Sequence, residues 1–157
     1  LRSIRVHGQG TDKYDNVRIG INGRMDTLQA AVLLSKLEIF DEELELRNLV
    51  ARRYQNGLQE KFVTPFVAAN RTSVWAQYSL LTANRETCLR TLKDHGIPAA
   101  IYYPIPIHRQ AAYRHFHHGP SLPVCEDLAE RIFSIPMHPY LSTADQQIII
   151  DVLNSSV

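Results

Sequence analysis

The sequence predicts an α/β protein of the α+β kind, in which a long connector helix leads into a small, mainly antiparallel sheet with helices packed on it. Three observations predict this. Apolar residues recur with a helical period up to about residue 60 and alternate after Pro65. The short apolar runs beyond that point are interleaved with helix start and stop signals. The chain has 157 residues, 45% of them hydrophobic and 21% charged, the balance of an ordinary globular protein and not of a disordered one. That length suits one domain with an appendage, a radius of gyration of about 15 Å and burial of roughly 68–70% of the unfolded surface. We divide it into an arm over 1–24, connector helices over 25–60 and a small C-terminal α/β domain over 61–157.

Each element has a local reason. Gly8, Gly10, Gly20 and Gly23 stand among polar residues, so the arm reads as loop. From Asp26 the pattern turns helical, and Leu28, Ala30, Ala31, Val32, Leu33, Leu34 and Leu37 leave almost no polar face. A helix apolar nearly all round is buried on every side, so this one is expected against a further domain or another subunit. A second helical stretch runs from about Asp41 to Leu58. Its acids Asp41, Glu42, Glu43 and Glu45 come early and Arg47, Arg52 and Arg53 late, which suits the helix macrodipole. Glu43 and Arg47 add a favourable i,i+4 pair, and Leu46, Val50, Tyr54 and Leu58 form the apolar stripe. Sequence leaves open whether the two stretches are one bent helix.

Val74, Ala76, Tyr78 and Leu80 alternate with Trp75, Gln77, Ser79 and Leu81 as in a strand. Asn84 is placed to cap a helix through Leu89 and Leu92, and Gly96 sits where a left-handed residue ends it. Ala99 to Tyr103 reads as a second strand, stopped by Pro104 and Pro106. Pro123 opens a short helix to about Arg131, followed by a third strand over Ile132 to Ile135. Ser142 with Asp145, or Thr143 with Gln146, opens a last helix through Ile148, Ile149, Val152 and Leu153.

Charge excludes some functions. Seventeen basic residues against 16 acidic ones leave +1, with no basic stripe, which argues against nucleic-acid binding. Cys88 and Cys125 stand 37 positions apart with no CxxC pair, so a reducing, cytoplasmic setting is expected rather than a disulfide framework. No apolar stretch approaches a membrane span and no signal-peptide core is present, so no membrane partner is expected. The chain opens at Leu1 in what reads as mid-sequence, and we expect a piece of a longer protein.

Several groups can carry chemistry. Gly20-Ile21-Asn22-Gly23-Arg24 precedes the apolar helix, and free N–H groups, an amide and a guanidinium there can hold a phosphate or carboxylate. A plain glycine turn with a solvated Arg24 explains the same residues. Tyr102-Tyr103-Pro104-Ile105-Pro106-Ile107-His108 sets two phenols at a strand end beside a stiff exit, as a binding pocket does; a core edge with a surface His108 is the competing reading. His115, His117 and His118 lack a nearby carboxylate or thiol in ligand spacing, so a solvated loop is expected and no metal. Cys88 reads as a packed small residue. No Ser-His-Asp order, GxSxG or P-loop is found.

Taken together, Lys13-Tyr14 through Gly20-x-Asn22-x-Arg24-Met25-Asp26-x-Leu28-Gln29-Ala30-Ala31 into Lys36-Leu37, then Tyr103-Pro104-x-Pro106-x-His108-x-Gln110, then Leu122-Pro123 through Ser134-Ile135-Pro136-Met137-His138-Pro139-Tyr140-Leu141, resemble the nucleotide-sugar aminotransferases of the DegT/StrS type. These are pyridoxal-phosphate enzymes of fold type I. The three segments occur in family order and cover essentially the whole chain. The resemblance implies the C-terminal part of a subunit whose Schiff-base lysine lies upstream. Lys13, Lys36, Lys61 and Lys93 do not sit in that motif, so no catalytic residue is assigned and the piece alone is expected to be inactive.

By the same resemblance, Asn22 reaches the pyridoxal 5'-phosphate of the neighbouring subunit in a homodimer. Arg24 is the substrate-side cation, and Tyr102, Tyr103 and His108 line the sugar pocket. Many members carry histidine where Tyr102 stands, and Arg109 and Ala111 replace a commoner Leu and Pro. The implied reaction moves an amino group from glutamate to a nucleotide-linked keto-sugar. The runs Asp15-Asn16-Val17-Arg18-Ile19-Gly20 and Asp26-Thr27-Leu28-Gln29 look closest to members acting on UDP-linked 3-keto uronic acids in surface-polysaccharide synthesis, such as that of O-antigen. The alternative is a non-catalytic α/β module that binds an anionic metabolite or mediates assembly.

Overall fold

A computed structural model describes residues 1–12, 14–116 and 119–156. Lys13, and the loop reading of His117 and His118, therefore lie outside the described residues. Among those residues five α-helices and a two-stranded antiparallel sheet occur in the order α1 (Thr27–Glu38), α2 (Phe40–Gly57), β1 (Tyr78–Leu81), α3 (Arg85–Asp94), α4 (Pro123–Arg131), β2 (Ile132–Ile135) and α5 (Thr143–Ser155), with single 3-10 turns at Ile107–Arg109 and Arg114–Phe116 between α3 and α4. They fall into two compact units, 1–41 and 42–157.

In the first unit the arm is a loop folded back on itself. Single antiparallel bridges pair Val6 with Asn22 and Gln9 with Asn16. The fold-back is tight enough to require glycine: a Cβ on Gly20 would stand 2.1 Å from the Gly8 nitrogen, and one on Gly8 would stand 1.7 Å from the Arg18 carbonyl oxygen. Asp26 then caps α1, accepting from the Gln29 amide at 2.8 Å while the Gln29 side chain reaches back to the Asp26 amide, a reciprocal capping box. The chain breaks at Ile39, so the two connector stretches are separate helices.

The second unit holds the core. Val50, Ala51 and Tyr54 of α2 and Leu58 after it pack with Tyr78 and Leu80 of β1, Cys88 and Leu92 of α3, Phe133 and Ile135 of β2, and Ile149, Ile150 and Leu153 of α5. Buried polar atoms are matched: Gln146 Nε2 donates to the Val50 carbonyl at 2.8 Å, and Asn154 Nδ2 to the Gly57 carbonyl at 2.9 Å. Cys88 is fully buried, as its place on an amphipathic helix predicts.

β1 and β2 pair with Tyr78 opposite Ile135 and Leu81 opposite Ile132. Each edge is extended by one bridge, Val63 to Leu81 and Ala100 to Ser134. The strand expected over 74–81 is thus shorter than its alternation suggested, and the one expected over 99–103 does not form, because of those residues only Ala100 pairs, in the single bridge to Ser134. Trp75 adopts a left-handed φ of 50°, takes an Arg47 hydrogen bond on its carbonyl at 3.0 Å and donates its indole N–H to Asn48 at 2.8 Å, so extended chain begins only at Tyr78. After Ala100 the chain leaves the sheet to wall a cavity.

Capping decides the helix ends. Asn84 occupies the N-cap of α3 without a side-chain capping bond. The other end is a full Schellman motif, with the Ile97 amide on the Leu92 carbonyl at 2.9 Å, the Gly96 amide on the Lys93 carbonyl at 3.0 Å, and Gly96 at φ 69°. Pro123 opens α4 as expected, and of the two readings for α5 it is Ser142 that accepts from the Asp145 amide, at 3.0 Å.

Candidate functional site

Two places carry the residues singled out from sequence, one in each unit. In the arm, the Asn22 bridge is fixed by the Gly23 amide on the Arg5 carbonyl at 2.7 Å and the His7 amide on the Ile21 carbonyl at 3.0 Å. Arg24 Nε donates to Asn22 Oδ1 at 3.1 Å. That contact orients the amide, because its oxygen is used and its NH₂ is left facing outward as a donor. Among the described residues neither the Asn22 Nδ2 nor the terminal guanidinium nitrogens of Arg24 meet an acceptor. Exposed N–H donors carrying one positive charge suit an anionic oxygen, above all a phosphate.

In the second unit a cavity of about 1090 Å³ opens between the chain after Ala100 and the first turns of α4. Tyr102, Tyr103, Ile105, Ile107 and Tyr113 supply one wall; Leu122, Val124, Cys125 and Leu128 supply the other. The Tyr102 and Tyr103 rings meet edge to face with centroids 5.8 Å apart. Tyr102 also borders a second, smaller hollow of about 310 Å³ beside Gln77 and Ser134. A mostly apolar cleft with a few phenols and one amide, Gln110, is the usual make-up of a small-molecule site.

His108 follows this wall but turns away from the cavity. Its Nε2 donates to Glu126 Oε1 at 2.9 Å, and its side chain is only 11% exposed. Arg109 completes the contact, with Nε 3.1 Å from Glu126 Oε1 and Nη2 2.6 Å from Oε2. The His108 hydrogen bond, helped by the Leu122 amide and the Arg109 charge, holds the Glu126 carboxyl below its usual range against the opposing effect of burial. Sequence reasoning passed over Glu126 and Tyr113. The signal for Glu126 was an acid in the first turn of a proline-started helix, where the macrodipole favours it. No group of three or more histidine, cysteine or acidic side chains able to hold a metal occurs among the described residues.

The family described as DegT/DnrJ/EryC1/StrS aminotransferases matches this chain over residues 1–154. The chain belongs to that family. It is 45% identical over 156 residues to the UDP-2-acetamido-2-deoxy-3-oxo-D-glucuronate aminotransferase of Pseudomonas aeruginosa, covering 99% of this chain and 43% of that protein. It is 31% identical over 155 residues to a dTDP-3-amino-3,6-dideoxy-alpha-D-galactopyranose transaminase of Aneurinibacillus thermoaerophilus, covering 98% and 42%. The chain therefore spans less than half the length of these relatives. Among solved structures, a DegT DnrJ EryC1 StrS aminotransferase from Brucella abortus superposes with a TM-score of 0.89 at 52% identity, over 97% of this chain and 41% of the other. S. venezuelae DesV in complex with a ketimine intermediate does so with a TM-score of 0.87 at 30% identity, over 98% and 42%. The helical connector and small antiparallel sheet are thus a piece of the aminotransferase fold.

Proposed function

We propose that this chain is the C-terminal part of a pyridoxal-phosphate aminotransferase that aminates a nucleotide-linked keto-sugar, a UDP-linked 3-keto uronic acid in the first instance, with glutamate as donor. The observation that carries the substrate reading is the 45% identity, over 99% of the chain, to an aminotransferase named for a UDP-linked 3-oxo-glucuronate.

The residues present fit the cofactor's phosphate. Asn22 offers an amide NH₂ already oriented by Arg24, and the arm that carries it is closed so tightly that Gly8 and Gly20 admit no side chain. In this reading Asn22 holds the phosphate of pyridoxal phosphate across a homodimer, and Arg24 holds an anionic group of the substrate. When bound, the cofactor supplies the electron sink that amino transfer needs. Tyr102 and Tyr103 give the sugar a flat, hydrogen-bonding wall, and His108 supports that wall through the turn it shares with Ile107. The exchange needs a lysine in the remaining length of the enzyme. Lys61, which donates to the Asn154 carbonyl at 2.6 Å, is occupied in the small domain.

The test is a glutamate-dependent amination assay of the complete protein against a panel of UDP- and dTDP-linked keto-sugars. Turnover of the UDP-linked 3-keto uronic acid is expected. Absence of amination with every sugar in the panel would leave the non-catalytic, anion-binding module as the better account.

A further inference from the structure

The wall that carries Tyr102 and Tyr103 has little of its own to hold it. After Ala100 no backbone hydrogen bond of residues 101–116 reaches another element among the described residues. The bonds it makes are local, such as the Arg109 amide on the Pro106 carbonyl at 2.9 Å and the Gln110 amide on the Ile107 carbonyl at 3.1 Å. A segment of this kind keeps one spacing from α4 only if side chains fix it.

Glu126 supplies that fixing. Four donor atoms of three residues converge on its carboxylate: His108 Nε2 at 2.9 Å, Arg109 Nε at 3.1 Å and Nη2 at 2.6 Å, and the Leu122 amide at 3.4 Å. The Arg109 contact is bidentate, the geometry that adds orientation to charge. The Glu126 side chain is 17% exposed and that of His108 11%, so this pair is largely sheltered from solvent, with the more exposed Arg109 closing over its outer side. Its position matters as much as its strength. His108 and Arg109 sit between the cavity-lining Ile107 and Gln110, and Glu126 directly follows the cavity-lining Cys125. The carboxylate thus stands behind the cavity and ties its two walls together, without lining it.

We infer that Glu126 is the positioning residue of this cavity, setting through His108 and Arg109 the spacing at which Tyr102 and Tyr103 receive a nucleotide-linked sugar. The substrate half of this inference rests on the function proposed above. It also gives His108 a mechanical task rather than a direct substrate contact.

Two measurements on the complete protein separate the parts. Amide hydrogen exchange at Arg109, Gln110 and Tyr113 should quicken in Glu126→Ala and, less, in Glu126→Gln, which keeps one acceptor oxygen. Exchange at Phe133 and Ile149 should stay slow, which distinguishes a loosened wall from general unfolding. KM for the nucleotide-sugar should rise about tenfold in Glu126→Ala, the size of a lost charge-assisted contact, and more than kcat falls. Arg109→Gln should reproduce both effects in weaker form, and stands in for Glu126→Ala if that variant does not fold. Unchanged exchange in these variants overturns the inference. Faster exchange with KM unmoved overturns its link to substrate. If the wild-type protein aminates no keto-sugar, the functional reading fails and the exchange measurement still decides whether Glu126 holds the wall.

Discussion

The Tyr54 hydroxyl donates to the main-chain carbonyl of Pro136 at 2.9 Å, tying α2 to the segment that leaves β2, 82 positions away in sequence. Tyr54 is fully buried, and its ring lies 5.0 Å from that of Tyr78. Replacement by Phe keeps the packing and leaves the carbonyl unpaired. Tyr54→Phe should therefore cost about 1–2 kcal/mol, read from urea unfolding as a lower midpoint with an unchanged slope. An unchanged midpoint would mean that this hydrogen bond adds nothing over hydration.

The same two phenols predict how the fold responds to alkali. Burial raises Tyr54 furthest, with the neighbouring Tyr78 adding to it, and burial alone pushes Tyr78 from 10.0 up to about 12. An unfolded tyrosine ionises near 10.0, whereas these two stay neutral while folded. Their contribution is therefore complete below that value and is lost as pH rises through the folded one. Stability should fall between pH 10 and 12, and less steeply in Tyr54→Phe. Following phenolate absorbance and circular dichroism together checks this: ionisation of these two rings must coincide with unfolding.

Glu126 gives the opposite sign at the acid end. Its carboxyl is held below the ordinary 4.5, chiefly by the His108 hydrogen bond. Stability from this group is present above 4.5 and is lost as pH falls through the lower folded value. Glu126→Gln should be less stable than wild type near neutrality, with the gap closing on acidification below 4.5. A gap that stays constant across that range would show that the carboxylate charge is not what stabilises the contact.

Asn22 and Arg24 should prove coupled. Because Arg24 Nε donates to Asn22 Oδ1, removing either side chain frees the other. In the complete protein, Asn22→Ala should weaken cofactor retention and Arg24→Ala should mainly raise KM for the nucleotide-sugar, each by at least about tenfold. The double variant should lose less than the sum of the two. Equilibrium dialysis of pyridoxal phosphate and steady-state kinetics read the two effects, and strict additivity would remove the coupling.

Much of the fold was legible because local signals agreed with the packing. Pro123 at the start of α4, Gly96 at the end of α3 and Ser142 before α5 each perform the role that their residue type dictates. Of the stripe Leu46, Val50, Tyr54 and Leu58, the last three are buried as the spacing requires and Leu46 is half-buried. Where alternation misled, a tertiary contact overrode it: the left-handed Trp75 is held by Arg47 and Asn48 from α2, a relation between residues 27 and 28 positions apart that no local pattern reveals. The site divides in the same way. Tyr102 and Tyr103 were visible as rigid polar tips beside prolines, and they do line a cavity. The carboxylate that pairs with His108 lies 18 positions on, across a loop, so periodicity gave no reason to join them. Asp26-x-x-Gln29 has the spacing of a capping box, and the two residues form one.

None of the residues of α1 is buried. Leu28 is 81% exposed, Val32 63%, Leu34 65% and Leu37 63%, on a helix whose capping box and apolar run leave its formation in no conflict with its sequence. Contiguous apolar surface beyond a few hundred Å² is uncommon on monomers and usually becomes a contact. With leucines and valine spread around the helix, no single polar face remains to keep it in water. The 157-residue chain should therefore associate with a second copy of itself through Leu28, Val32 and Leu33. Light scattering over a concentration series should show a dimer, and Val32→Glu, which places a charge in the middle of the surface, should return it to monomer without changing the urea midpoint of the second unit. A monomer at high concentration, indifferent to the glutamate, would show that α1 is stable in water with its apolar residues uncovered.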